Sequence, residues 1–293
     1  MSGISTNRTN VALPTELSAE IIQKTQDASA VMQLARQIAL PGRGLTIPVI
    51  TSDPEAAWVD ETDAKPVSNP GLSQKVMQAY KLAVIVPFSM EFRRDAAALY
   101  DALVERLPAA LAAKFDYTVF HGTAPGSNFD TFAAATAQNI GSTYTYAGFV
   151  GADADIAEHG GIMNGIALSP AGKSVILGAT DGDNRPLFIN SVAEGAVPMI
   201  LGAKTILNKA AYKAGASGSP STPNVVGIAG DWTQAMYGTV EGVRISYSED
   251  AALTINSTLT SLFEHNMFAV RAEIEVGFRA DTSVFNRLTT PYA

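Results

Sequence analysis

The chain has no cysteine among its 293 residues, and only three histidines and two tryptophans. Without cysteine there is neither a disulfide framework nor a thiolate metal site. The histidines, His121, His159 and His265, lie too far apart in sequence to form a metal-binding pair on one helix face. No G-x-S-x-G elbow occurs, so a hydrolase triad has no anchor. Positive charge is scarce: 20 Lys and Arg face 28 Asp and Glu, giving a net charge of -8 and a pI of about 4.9. Apart from Arg93-Arg94 the basic residues are scattered. Affinity for phosphate comes from Lys and Arg displacing counterions, so a direct nucleic-acid reader is not expected. No run approaches the ~18 apolar residues of a membrane span. The start, MSGISTNRTN, carries neither the charged nor the apolar region of a signal peptide, and synthesis in a cytoplasm is expected. Charged residues make up 16% of the chain, against ~25% in an ordinary domain. That deficit predicts a surface partly covered by partners.

What is present is a series of clear periodicities. Residues 1–13 are polar and unpatterned and read as an arm. Pro14-Thr15-Glu16 opens a helical pattern with Thr15 as N-cap; Leu17, Ile21, Ile22, Val31, Leu34, Ala35 and Ile38 recur at three- and four-residue steps up to Pro41. Leu45–Thr51 is short and β-branched, with Trp58-Val59 as a possible continuation. A polar middle (60–73) separates it from a second β-compatible run, Lys75–Phe88, and the two predict a long hairpin. Two strands alone are marginal in water, so such a hairpin must lean on something.

From Asp95 to Phe120 the spacing predicts a long helix, its stripe formed by Leu99, Leu103, Leu107, Leu111, Phe115 and Val119. At ~1.5 Å per residue it would be roughly 39 Å long. Pro108 within it predicts a kink. Residues 122–147 read as loop. A short helix over Ala152–Met163, a strand Gly165–Leu168, a helix from Pro170 to Gly178 and an α/β section to Gly238 follow. Period-two alternation then runs from Phe268 through Val270, Ala272, Ile274 and Val276 to Phe278, with Arg271, Glu273, Glu275 and Arg279 on the opposite face.

Chemical motifs are few. Ala167–Ser174 fits a loose phosphate loop ending in Lys173-Ser174, but Pro170 removes a backbone donor. A Ser169-capped helix with Pro170 at its first position explains the same residues. Asp153, Asp155, Glu158 and His159 match neither the calcium-loop nor the zinc-helix spacing and suit a helix N-terminus. Asp181-Gly182-Asp183-Asn184 lacks the downstream Glu of a calcium loop and reads as a turn. No catalytic residue, cofactor or metal is expected.

Four stretches in this order carry a family resemblance: PTELSAEIIQKTQDASAVMQLARQI (14–38), QAYKLAVIVPFSMEFRRDA (78–96), GIALSPAGKSVILGATDGDNRPLFI (165–189) and NMFAVRAEIEVGFRADTSVFNRL (266–288). They resemble the N-terminal arm, the returning strand of the extended loop, the A-domain strand–Pro–helix segment and the closing strand of major capsid proteins of tailed double-stranded DNA bacteriophages. The resemblance implies an α+β chain of the Hong Kong phage type. It divides into an arm (1–43), an extended loop (44–91), a P-domain (92–147 and 239–276) and an A-domain (148–238 and 277–293).

The same resemblance implies subunits that form pentamers and hexamers of an icosahedral shell in the virion. That shell encloses double-stranded DNA without reading it. A separate scaffolding protein, a portal and decoration proteins are the implied partners. Trp58, Lys65, Pro66, Asn69, Lys75, Arg93, Arg94, Glu273 and Glu275 are the candidate inter-subunit contacts. Some relatives crosslink a loop Lys to a neighbour's Asn; Lys65 and Lys75 lie in the loop, but no partner Asn or catalytic acid can be matched. Two other readings remain at this point: an encapsulin-like compartment, which shares the fold, and a nucleotide-hydrolysing enzyme using Lys173.

Overall fold

The structure, a computed structural model, describes residues 25, 28–42, 44–52, 56, 58–59, 65, 67–68, 71–91, 106–141, 144–181, 183, 185–187, 199–218, 221–255 and 257–291. In chain order the elements are α1 (Ala30–Leu34), β1 (Arg36–Ala39), β2 (Leu45–Ser52), β3 (Gly71–Met77), β4 (Tyr80–Ser89), α2 (Leu107–His121), β5 (Thr136–Asn139), α3 (Thr145–Glu158) and β6 (Gly165–Leu168). Then come α4 (Pro170–Leu177), β7 (Met199–Ile200), β8 (Ala203–Leu207), β9 (Asn224–Gly230), β10 (Ala235–Thr239), β11 (Arg244–Ser248), β12 (Ala252–Ile255), β13 (Thr258–Ser261), β14 (Met267–Ala280) and β15 (Phe285–Thr290).

The alternating C-terminal segment is β14, the axis of a five-stranded sheet. One edge pairs antiparallel with β4, from Met267↔Ser89 to Val276↔Tyr80. The other pairs with β10 (Val276 to Ala280) and then β11 (Ala269 to Glu273), two successive pieces of one strand interrupted at 240–243. β1 adds in parallel to β10. Phe268, Val270, Ala272, Ile274, Val276 and Phe278 are all buried, as the alternation predicts. Helix α2 lies on this face, with Phe115 meeting Phe278 edge-on at 6.4 Å between ring centroids.

The second sheet has six strands in the order β5-β15-β9-β6-β8-β7. Its centre, β6 and β9, is buried along nearly its whole length, the signature of strands covered on both faces. Ser169 caps α4 by accepting from Gly172 N at 3.0 Å, and Pro170 sits in the first turn, where its missing N–H removes no bond.

Two of the chain's passages between the sheets, β9 to β10 and β14 to β15, each run through a single 3-10 turn capped by an aspartate. Asp231 accepts from Thr233 N between β9 and β10. Asp281 accepts from Ser283 N between β14 and β15. An aromatic cluster fills the junction: Phe132 stacks on Phe285 at 4.2 Å, and Trp232 and Phe278 meet Phe132 edge-on at 5.8 and 5.6 Å. The core is therefore continuous across both sheets.

Several expectations change. The helical pattern expected to reach Ile38 ends at Leu34: Ala35 is extended, and Arg36–Ala39 becomes a strand because β10 offers an open edge. Its part before residue 25, including the Thr15 cap, lies outside the described residues. The run Lys75–Phe88 is two strands broken at Gln78-Ala79, one in the hairpin β2–β3 and one in the large sheet. Gly71–Ser73, expected in the polar tip, belong to β3. Of the long helix, Leu107–His121 is described, with Leu107, Leu111, Phe115 and Val119 buried as the stripe requires. Residues 92–105 lie outside the described residues. Pro108 is in the first turn of this helix and not inside it, so it causes no kink there. The supposed loop 122–147 holds a 3-10 turn (Phe132–Ala134), β5 and the start of α3, which begins at Thr145 and ends at Glu158. Threonine and alanine there concealed a strand that borrows its order from β15.

Candidate functional site: the assembly surface

The residues that could have carried chemistry are engaged elsewhere. In the phosphate-loop look-alike, Gly172 N is taken by Ser169 Oγ and Lys173 N by Ser169 O at 2.9 Å. Ser174 Oγ donates to Ala171 O at 2.7 Å. A Cβ at Gly172 would stand 2.8 Å from Val226 O, so this turn packs against β9 and leaves no cradle for a phosphate. Asp181 Oδ1 accepts from Asp183 N and Arg185 N at 2.9 and 2.8 Å, the expected turn. His159 is exposed beyond α3, with Nδ1 2.8 Å from Asp155 O. His265 is exposed after β13, and His121 is buried at the end of α2. Among the described residues no three His, Asp or Glu side chains come together as a metal site.

The unusual feature is a hairpin without a body. β2 and β3 pair from Leu45↔Met77 to Ser52↔Gly71 and form a two-stranded sheet of their own. Met77, at the root, is fully buried. Beyond the far end, Trp58 is fully exposed and Val67 nearly so. Lys65 is also exposed. Pro66 and Asn69 lie outside the described residues, as do Arg93 and Arg94.

Of the remaining candidates, Lys75 is near the root of the hairpin and Glu273 and Glu275 sit on β14. Lys75 Nζ donates to Ala280 O at 3.0 Å. Glu275 pairs with Lys81, its cross-strand neighbour, at 3.1 Å, and Glu273 with Arg271 at 3.5 Å. These acids share the outer face of the large sheet, opposite α2. That face also shows Ile85, the cross-strand neighbour of Arg271, and the β12–β13 hairpin and the turn after it present Leu259 and Phe263. Lys81 and Arg271 are thus neutralised within the chain on this face, beside the exposed Ile85.

Two residues that sequence reasoning missed hold the parts in place. Asp116, on α2 and buried, accepts from Ser29 Oγ (2.5 Å), Ala30 N (2.8 Å), Val31 N (3.4 Å) and Asn208 Nδ2 (2.6 Å). Burial pushes its carboxyl up to about 6, against the lowering effect of those four donors. Arg279 was assigned to the charged outer face by alternation, yet it is buried and paired with Asp130 at 2.8 Å. A mid-helix Asp in an apolar stripe was the available signal for the first; for the second, the nearby Gly277 marks a close approach of backbone.

The sequence profile of the phage capsid family matches residues 9–281. The chain belongs to the phage capsid family. Among curated relatives, the probable major capsid protein gp17 of Mycobacterium phage L5 is 29% identical over 302 residues, covering 94% of this chain and 89% of that one. Solved chains from Gordonia phage Cozz (21% identical, TM-score 0.71, 90% of this chain and 87% of that one) and Mycobacterium phage Bobi (17%, 0.72, 100% and 96%) share the fold. The architecture of this capsid protein is thus the Hong Kong phage type that the four stretches implied, and its place is the virion.

Proposed function

We propose that the protein is the major capsid subunit of a tailed double-stranded DNA phage, assembling into pentamers and hexamers that close into an icosahedral shell, with no catalytic role. The observation that carries this reading is the hairpin β2–β3, buried at its root and carrying a fully exposed Trp58 past its far end. A lone two-stranded ribbon gains stability only by lying on another surface, and neighbouring copies supply it. Contacts that are each weak suffice, because a subunit held by several neighbours binds at high effective concentration. Heterologous contacts close rings when the rotation closes, which gives pentamers and hexamers from one chain.

The division into arm (1–43), extended loop (44–91), P-domain (92–147 and 239–276) and A-domain (148–238 and 277–293) is proposed with it; the large sheet supports the P-domain and the six-stranded sheet the A-domain. Trp58, Lys65, Pro66, Asn69, Arg93 and Arg94 are proposed contacts, with Glu273 and Glu275 lining the sheet face and Lys75 serving the hairpin root. A separate scaffolding protein, a portal and decoration proteins are the proposed partners. The acidic balance of the chain lets packaged DNA move along the wall without sticking. Electron microscopy of the purified protein, alone or with its scaffold, should show closed shells or ring-shaped capsomers. A species that stays strictly monomeric at high concentration would sink the reading.

A further inference from the structure

Arg279, near the end of β14, directs its whole guanidinium at the hairpin root and the loop beside it. Nε donates to Val76 O at 2.8 Å, and Nη1 to Asp130 Oδ1 at 2.8 Å. Nη2 reaches Asn128 Oδ1 at 3.0 Å and Ser127 O at 3.4 Å. Asp130 Oδ2 accepts from Ala280 N at 3.2 Å, and Ala280 O accepts from Lys75 Nζ at 3.0 Å. Asn128 in turn donates through Nδ2 to Gln78 Oε1 (3.4 Å) and through its N–H to Tyr80 OH (3.3 Å). Both sides of the break at Gln78-Ala79, where the chain leaves the hairpin for the body, are therefore tied to the 127–130 loop. The opposite strand enters through Gly44, at φ +85, where a Cβ would stand 2.7 Å from Met77 O.

We propose that Arg279 is the positioning residue of the hairpin: with Asp130 and Lys75 it fixes the angle at which β2–β3 leaves the body, and so the point on a neighbouring subunit that the far end reaches. A planar guanidinium fixes direction as well as distance, which a lysine cannot do. The lever is long. At ~3.3 Å per residue β3 alone extends about 23 Å, so a tilt of about 10° at the root moves its far end by roughly 4 Å, enough to leave a specific contact. Burial protects the clamp from competing water, while the rest of the ribbon has no such anchor in its own chain among the described residues. The assembly half of this proposal rests on the shell-subunit reading; the clamp itself does not.

The test uses Arg279→Met in the full-length chain, with two readouts. Hydrogen exchange on unassembled protein should rise tenfold or more over residues 73–78 and stay within twofold over 224–230, the core strand. Assembly with scaffold should give shells of mixed diameter or open sheets. Exchange over 73–78 within twofold of the wild type overturns the clamp. A loosened root with shells of a single, unchanged diameter overturns its role in assembly. Should Arg279→Met lose protection over 224–230 as well, Lys75→Met removes only the bond to Ala280 O; a threefold rise over 73–78 is then expected, and no change overturns the proposal. Absence of particles from the wild-type chain counts against the shell reading, and the exchange measurement alone then decides the clamp.

Discussion

At the scale of single residues, two buried groups in the C-terminal half of α2, Asp116 and His121, titrate in opposite senses. Asp116 is raised from 3.8 to about 6 by burial, so its folded form holds a proton more tightly than its unfolded form. Its contribution to stability grows as pH falls through 6 and is complete below about 4. Between pH 7 and pH 5 this amounts to about 1 kcal/mol, since one pKa unit is worth 1.36 kcal/mol. His121 is lowered from 6.5 to about 4, chiefly by burial, with Lys213 and Arg287 adding to the effect and the backbone of Ala210 and Ala211 opposing it. Its folded form resists protonation, so its contribution is lost as pH falls from 6.5 towards 4. The two trends offset one another, and urea unfolding of the wild type should vary little from pH 7 to pH 5 on their account. Asp116→Asn should expose the histidine and make stability fall with acid; His121→Gln should expose the aspartate and make it rise. Parallel pH profiles for both variants would show that neither group is buried as described. Removal of the acceptor altogether, in Asp116→Ala, leaves four donors of two separate segments without it and should cost about 2–3 kcal/mol.

At the scale of elements, the segments that stand on their own pattern were legible and those that borrow order were not. The alternation of β14, the part of the four-residue stripe from Leu107 to Val119 and the Ser169-Pro170 start of α4 are written in adjacent residues, and each formed where the pattern placed it. By contrast, β1 exists because β10 leaves an edge open, and β5 because β15 does; neither carries a period of its own. The break between β3 and β4 was hidden inside a continuous β-compatible run. It arises where two backbones pinch together, and Gly277 is the residue that allows it. A Cβ there would stand 2.6 Å from Gln78 O and 3.1 Å from Met77 Cγ. Backbone cannot move aside as a side chain end can, so Gly277→Ala should lower stability by about 2 kcal/mol, as overpacking does. Gly42, in the turn before β2, has nothing within 4 Å of an added Cβ. Gly42→Ala should therefore stay within about 0.5 kcal/mol of the wild type. Equal unfolding midpoints for the two variants would refute the pinch. The candidate contacts were legible only by kind: the polar-tipped hairpin showed in composition, whereas the burial of Arg279 depends on a loop about 150 residues away, and Gly277 beside it signals a close approach without naming the partner.

At the scale of the whole molecule, the two tryptophans report on assembly from opposite positions. Trp232 is buried, donates through Nε1 to Gly165 O at 2.9 Å and lies edge-on to Phe285 in the junction between the sheets. Its surroundings are complete within one chain, so association should leave its emission unchanged. Trp58 is fully exposed beyond the hairpin and has no cover of its own. An indole buried against a partner is among the strongest single contributions an interface receives. Dispersed subunits should thus show one acrylamide-accessible and one shielded tryptophan population, and assembled shells only the shielded one, with a blue shift of the summed emission. In Trp58→Phe the dispersed and assembled forms should quench alike, which assigns the change to the hairpin. Trp58→Ala should leave the unfolding curve of the dispersed subunit within about 0.5 kcal/mol of the wild type, as a surface substitution does, while raising the concentration needed for assembly. Shells whose Trp58 remains open to acrylamide would mean that the far end of the hairpin hangs free in the particle, and that the sheet face bearing Ile85, Glu273 and Glu275, not the hairpin tip, carries the contact.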